Sequence, residues 1–271
     1  MKAIIKTSYR GAIIAVAMLG SAYADNTLNY SKLENGAPTG AAQKVLIRQG
    51  KIRIDLPDGK NAVIYNSVED KIYILQLAEK TYMTMDPAMM DKMMGALTGL
   101  QAQMESQLAS MPEEQRAQMR AMMSKMAGGI LGGGKAPVIN FKETGRQEKV
   151  GDYQTKVIEV TEDGKKTAVY YVVDRQKLNL GDAEYATMQK LQAFLDKLMK
   201  NLPAALKQKM KIPNLLAKGN QLPVKTERYE SATLKESNQL TGISSESLEA
   251  SLFEIPEGFQ KRQMPTGMGA K

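Results

Sequence analysis

The sequence predicts an α+β fold, a twisted antiparallel sheet covered by helices, and three observations predict it. Apolar and polar residues alternate through residues 43–85, with turn residues at intervals of about ten positions. That spacing favours sequential hairpins over βαβ crossovers. From Met89 to Met126, and again from Tyr185 to Leu202, apolar residues recur every three or four positions, which is the helical period. Strand patterns return between and after these two stretches.

The chain opens on an export signal. Lys2, Lys6 and Arg10 precede the short apolar core Ala12 to Gly20, and Ser21-Ala22-Tyr23-Ala24 supplies an A-x-A cleavage pattern. Residues 1–24 are therefore expected to be a signal peptide removed after Ala24. The apolar core is too short to span a bilayer, and no Cys follows it to carry a lipid anchor. In a bacterium with two membranes the destination is the periplasm.

The first sheet segment reads strand by strand. Lys51-Ile52-Arg53-Ile54-Asp55-Leu56 alternates as a half-buried strand, and Pro57-Asp58-Gly59-Lys60 turns it. Ala62–Tyr65, Ile72–Leu75 and Thr81–Met85 follow, separated by turns near Glu69-Asp70 and at Ala78-Glu79-Lys80. At Asp86 the period changes. Asp86 suits an N-cap and Pro87 the first helical turn. Met89, Met90, Met93, Met94, Leu97, Leu100, Met104 and Leu108 form one stripe. Ser110-Met111-Pro112-Glu113 is a capping-box pattern that starts a second helix, with Met119, Met122, Met123 and Met126 as its stripe. The glycine run from Gly128 to Gly134 ends that helix and is expected to act as a hinge.

Strand patterns resume at Val138–Phe141, Thr155–Val160 and Ala168–Val173, with Asp163-Gly164 as a hairpin turn. A second helical region from Ala183 carries Tyr185, Met188, Leu191, Leu195, Leu198, Met199 and Leu202, until Pro203 kinks or restarts it. Leu222–Tyr229 and the stretch ending Phe253-Glu254-Ile255-Pro256-Glu257-Gly258-Phe259 read as strands.

The meander, Glu79-Lys80-Thr81-Tyr82-Met83, the Met-rich insert and the closing Phe253–Phe259 phrase carry a resemblance. The chain resembles the exported bacterial family called domain of unknown function 4412, which is similar in plan to the LolA/LolB lipoprotein carriers. The resemblance covers most of residues 28–262 and implies a half-open β-barrel wrapped over helices. It carries over no site residue. The expected organisation is one LolA-like domain over 25–262, a helical insert over about 87–127, a Gly-rich hinge at 128–134 and a flexible tail at 263–271.

Composition narrows the chemistry. The 271 residues include no Cys, no His and no Trp, which removes disulfides, thiolate nucleophiles and the commonest general base. Ser–His–Asp catalysis is excluded, and no Ser-x-x-Lys spacing supports a Ser–Lys pair. Gly129-Ile130-Leu131-Gly132-Gly133-Gly134-Lys135 imitates a phosphate loop, but Ala136 stands where Ser or Thr is needed. The carboxylates read as solvated surface charge, so no enzyme activity is expected. The formal charge of +8 falls by the three cations of residues 1–24 to +5, too little to indicate nucleic-acid binding. Much of that excess lies in the Lys-rich stretch 183–211, whose Lys190, Lys197, Lys200, Lys207, Lys209 and Lys211 face anionic headgroups or only water.

Methionine is the compositional anomaly. Twelve of the 19 Met lie between Met83 and Met126. Met fills cores, and it also lines surfaces that repack around varied apolar ligands. The expectation is a non-enzymatic periplasmic binding or carrier module for a hydrophobic ligand such as an acyl chain, lipid or lipidated peptide, with no cofactor. Its ligand-binding residues would be Met89, Met90, Met93, Met94, Leu97, Met104, Met119, Met122, Met123 and Met126. One alternative is a Cu(I)-binding stress protein, with thioether ligation by Met119, Met122, Met123 and Met126. Another is an envelope interaction module whose Met face docks on a partner protein.

Overall fold

The computed structural model describes residues 25–113, 115–116, 138–200 and 220–262. The signal segment 1–24, the Met119–Met126 stripe, the 128–134 hinge and the 263–271 tail lie outside the described residues.

Among the described residues, twelve strands form one open sheet. The first six are β1 (Asn26–Glu34), β2 (Ala37–Arg48), β3 (Lys51–Asp55), β4 (Asn61–Asn66), β5 (Lys71–Gln76) and β6 (Thr81–Met85). After helix α1 (Pro87–Ala109) come β7 (Ile139–Val150), β8 (Tyr153–Glu162) and β9 (Lys165–Asp174). Helix α2 (Asp182–Lys200) precedes β10 (Gln221–Glu230), β11 (Thr233–Ser245) and the short β12 (Gln260–Lys261). In space the order is β12-β6-β5-β4-β3-β2-β1-β11-β10-β9-β8-β7, so β12 and β7 are edges and the sheet does not close into a barrel. Neighbours are antiparallel except β12 on β6, which is parallel. The architecture is therefore an open sheet with helices on it, of the α+β class.

Turn chemistry explains the hairpins. Asn35-Gly36 and Asp163-Gly164 both take positive φ, as two-residue hairpin turns require. The β10–β11 turn does the same with Ser231 (φ 49°) and Ala232 (φ 65°), which carry no glycine signal. The strands β1 and β11, and most of β7, are additional to those read from the sequence. The closing Phe253–Phe259 phrase is not a strand. Ala250–Phe253 is a short 3-10 turn, and Pro256 lacks the N–H that a ladder needs.

The main core lies between one face of the sheet and the helices. α2 buries Tyr185, Met188, Leu191, Phe194, Leu195 and Leu198 against Leu28, Val45, Ile47, Ile52 and Tyr65 of β1 to β4. Phe194 meets Tyr65 at 5.5 Å between ring centroids, and Thr187 Oγ1 accepts a hydrogen bond from the Gly50 N–H at 3.0 Å. On the opposite face, Ala62, Ile64 and Leu75 are covered by Ile255 and Phe259 of the C-terminal strap. Arg53 fastens that strap by donating to the Leu252 carbonyl at 2.8 Å, and the Gln260 and Arg262 N–H groups bond to Lys80 and Tyr82.

Candidate functional site

Register builds an apolar row across the helix-bearing face. Ile54 pairs with Val63, Val63 with Ile74, and Ile74 with Met83, so one side chain from each of β3, β4, β5 and β6 lies side by side. All four are only partly buried. The adjacent row, Ile52, Tyr65, Ile72 and Met85, is more deeply packed beneath the helices. On the other side the next row is polar, with Asn61, Gln76 and Thr81 in register. The apolar row is thus a strip between the packed core and the rim of the sheet.

α1 starts beside this strip because β6 ends at Met85 and Asp86 caps the next turn. The Asp86 carboxylate accepts the Met89 N–H at 2.7 Å, and Pro87 fills the first turn. Met90 is 5% exposed and Met94 packs against the same core, whereas Met89 is partly buried. Beyond Met94 every described side chain of α1 through Gln107 is exposed. Leu108 is buried again at the far end, where Arg116 folds back and donates to the Leu108 and Met111 carbonyls at 3.0 Å each. The helix is therefore anchored to the core by its first two turns.

The expected ligand-binding methionines divide accordingly. Met90 belongs to the core that Ile54, Val63 and Ile74 also pack against, Met94 packs on the same core, and Met89 on the same first turns is partly buried. Met93, Leu97 and Met104 belong to α1, but their side chains are outside the described set, and Met119, Met122, Met123 and Met126 are outside it altogether. Sequence reasoning named the strands of the strip but not the strip itself, because cross-strand neighbours depend on register. The alternation in each strand is the signal that contained it.

A second feature contradicts the expectation that the carboxylates are all solvated. Glu227 on β10 is 9% exposed. Lys225 Nζ lies 2.7 Å from its Oε1, while the hydroxyls of Tyr229 and Tyr171 donate to Oε2 at 2.7 and 3.2 Å. The Lys225 ammonium also faces the Tyr171 ring at 4.8 Å. Burial alone would raise the Glu227 pKa, but these hydrogen bonds and the Lys225 charge outweigh it and hold the carboxyl below its ordinary value. Burial, with the bonded carboxylate, pushes the Tyr229 phenol up to about 12. In the strand sequence Lys225-Thr226-Glu227-Arg228-Tyr229 this reads as a polar face; the partner Tyr171 comes from β9.

Other surfaces are less suited to a ligand. A cleft of about 450 Å³ is lined by Tyr30, Lys32, Glu34, Gln43, Glu236 and Asn238 among others, with Lys32 and Glu34 already paired at 2.8 Å. On α2, Lys190 and Lys197 are exposed, and Lys197 lies 3.8 Å from Asp70; Lys207, Lys209 and Lys211 are outside the described residues. Among the described residues, no cluster of three or more His, Cys, Asp or Glu is placed to hold a metal, and no helix is long and apolar enough to cross a membrane.

No protein-family model matches the chain, and no curated protein matches it. Among solved structures, an uncharacterized conserved protein from Thermus thermophilus aligns at 6% identity with a TM-score of 0.41, over 88% of this chain and 90% of that one. PNGF-II, in two crystal forms, aligns at 11% and 8% identity with a TM-score of 0.39 in each, over 88% of this chain and 31% of that one. The present chain thus spans about a third of the length of PNGF-II. Likenesses this distant carry no argument about function.

Proposed function

We propose that the protein is an exported, periplasmic, non-enzymatic binding or carrier module for a ligand with a long apolar chain. The chain would lie on the Ile54–Val63–Ile74–Met83 strip, with the Met-bearing first turns of α1 beside it. The half-open LolA/LolB-like plan belongs to the same proposal, and an open sheet with its helices on one face is compatible with it.

The strip is the observation that carries this reading. Four apolar side chains stand in register, unfinished as core and too apolar for an ordinary surface. Burying an acyl chain there removes apolar area from water on both partners, at about 0.8 kcal/mol for each methylene buried. Met83, Met89 and Met94 supply a wall that repacks around chains of different shape. A chemical step would need groups that the strip lacks. The export signal read from residues 1–24 would deliver the protein to a compartment where lipids and lipidated peptides must cross an aqueous gap.

Native mass spectrometry of the purified protein, followed by solvent extraction, is the test. The expected result is an apolar ligand retained or exchanged by the native protein. Ile74→Lys should lower retention at least tenfold, because a chain laid on the strip would have to desolvate an ammonium. A folded protein that never takes up an acyl probe, or an Ile74→Lys variant and an 87–127 deletion that bind as well as the native chain, would overturn the reading.

A further inference from the structure

The two ends of the sheet are finished differently. At one end β12 is two residues long, and Lys261 and Arg262 put charge on it, with Arg262 2.7 Å from Glu79. Short, charged edges of this kind discourage pairing with another chain. At the other end β7 runs for twelve residues. Its second half carries a register shift between Glu143 and Gln147, with the charges of Arg146, Glu148 and Lys149, and is protected in the same way. Its first half is not. Val138, Ile139 and Phe141 are 52%, 55% and 45% exposed, so three of the five exposed large apolar side chains among the described residues stand together there.

Hydrogen bonding tells which backbone groups point outward. Val138 turns both of its groups toward the β8–β9 turn. Its N–H donates to the Asp163 carboxylate and its C=O accepts from the Asp163 N–H, each at 2.9 Å. Along an antiparallel strand this direction alternates, so Asn140 and Lys142 also face β8, while Ile139, Phe141 and Glu143 aim their backbone groups away from it. An apolar row is unfinished at the same place. Ala168 on β9 and Val160 on β8 are buried, and Phe141 continues their row to the edge, where it stops half exposed.

We infer that a second copy of this chain completes the edge, residues 138–142 of the two copies pairing antiparallel about a two-fold axis at Asn140. In that register Ile139 of each copy stands opposite Phe141 of the other, and an aromatic against a β-branched side chain is a favourable cross-strand pair. The same two residues exchange backbone hydrogen bonds, because both point outward. The Ala168–Val160–Phe141 row then runs on into Ile139 of the other copy. Charge agrees with this register. Lys142 comes opposite Val138, within reach of the Asp163 carboxylate that holds the Val138 N–H, and symmetry makes that contact twice. Among the described residues neither Lys142 nor Asp163 already forms an ion pair. Centring the pairing on Phe141 instead would set Ile139 against Glu143, an apolar group against a carboxylate. The edge lies at the β7 end of the sheet and the apolar strip on β3 to β6, so the pairing does not depend on the ligand proposed for the strip.

The chain contains no Cys, so one introduced thiol reports the pairing without competition. At a non-hydrogen-bonded antiparallel pair the Cα atoms are about 4.5 Å apart, close enough for a disulfide. Asn140→Cys should therefore form a covalent dimer with oxidised glutathione, whereas Lys142→Cys, which faces Val138, should not. Sedimentation of the native chain from low to high micromolar concentration should show a monomer–dimer equilibrium. Phe141→Lys should weaken that equilibrium about tenfold, with an unchanged circular dichroism spectrum because the side chain is exposed. The inference is overturned by a native chain that stays monomeric throughout, including one that captures an extended peptide instead. It is equally overturned by a dimer that Phe141→Lys leaves intact, or by a cross-link through Lys142→Cys in place of Asn140→Cys. None of these variants alters the apolar strip, so a monomer that still retains an acyl chain removes the dimer and leaves the strip proposal standing.

Discussion

Glu227 shows how much one residue can depend on neighbours that are remote in sequence. Tyr171 lies 56 positions away, yet it shares a carboxylate oxygen with Tyr229. The Glu227 pKa is lowered in the folded state, so its contribution to stability is present above the unfolded-state carboxyl pKa of about 4.3 and is lost as pH falls through the lower folded value. Tyr229→Phe removes one donor to that carboxylate. The folded pKa should move back up and the acid unfolding midpoint should shift to higher pH. Stability at pH 7 should fall by about 1 to 3 kcal/mol, as expected for a hydrogen bond to a charged group. Urea unfolding at pH 7 and at pH 3 checks it, with a smaller difference between variant and native chain at pH 3. Tyr229 itself acts in the opposite window. Its phenol is raised to about 12, so that share of stability is present below about pH 10 and disappears as pH rises toward 12.

At the scale of elements, the hairpins separate those with a sequence signal from those without one. Asp163-Gly164 announces its turn, and Asn35-Gly36 carries an equal signal, although the strands flanking it lie before the alternation that begins at residue 43. The β10–β11 turn gives no such notice. Its Ala232 sits at φ 65°, where an L side chain is strained, so nothing local separates β11 from β10. Ala232→Gly should relieve that strain and stabilise the protein by about 0.5 to 1 kcal/mol after the added entropy of glycine, measured by chemical denaturation. α1 shows the reverse case, since its start is legible from Asp86 and Pro87. Its attachment is not, because a stripe of methionines says nothing about which of them are covered. Met90→Ala should cost about 2 to 5 kcal/mol if Met90 is the anchor, observed as a lower denaturation midpoint.

For the whole molecule, the C-terminal strap finishes what the helices leave open. The helices cover one face of the sheet, and the strap covers part of the other over β4 and β5. Phe253 is 3% exposed, and its replacement by Ala should lower stability by about 3 to 5 kcal/mol in thermal or urea unfolding. A midpoint unchanged by Phe253→Ala would show that the strap is dispensable. The sequence by itself determined the class of the fold, the meander from Lys51 to Met85, the start of α1 and the buried stripe of α2, because local period and capping chemistry are written in consecutive residues. Only the tertiary structure decided the order of the twelve described strands, the parallel return of β12, the strip Ile54–Val63–Ile74–Met83 and the partners of Glu227. These all depend on register between strands far apart in the chain. One residue of slip would turn each of those side chains to the other face.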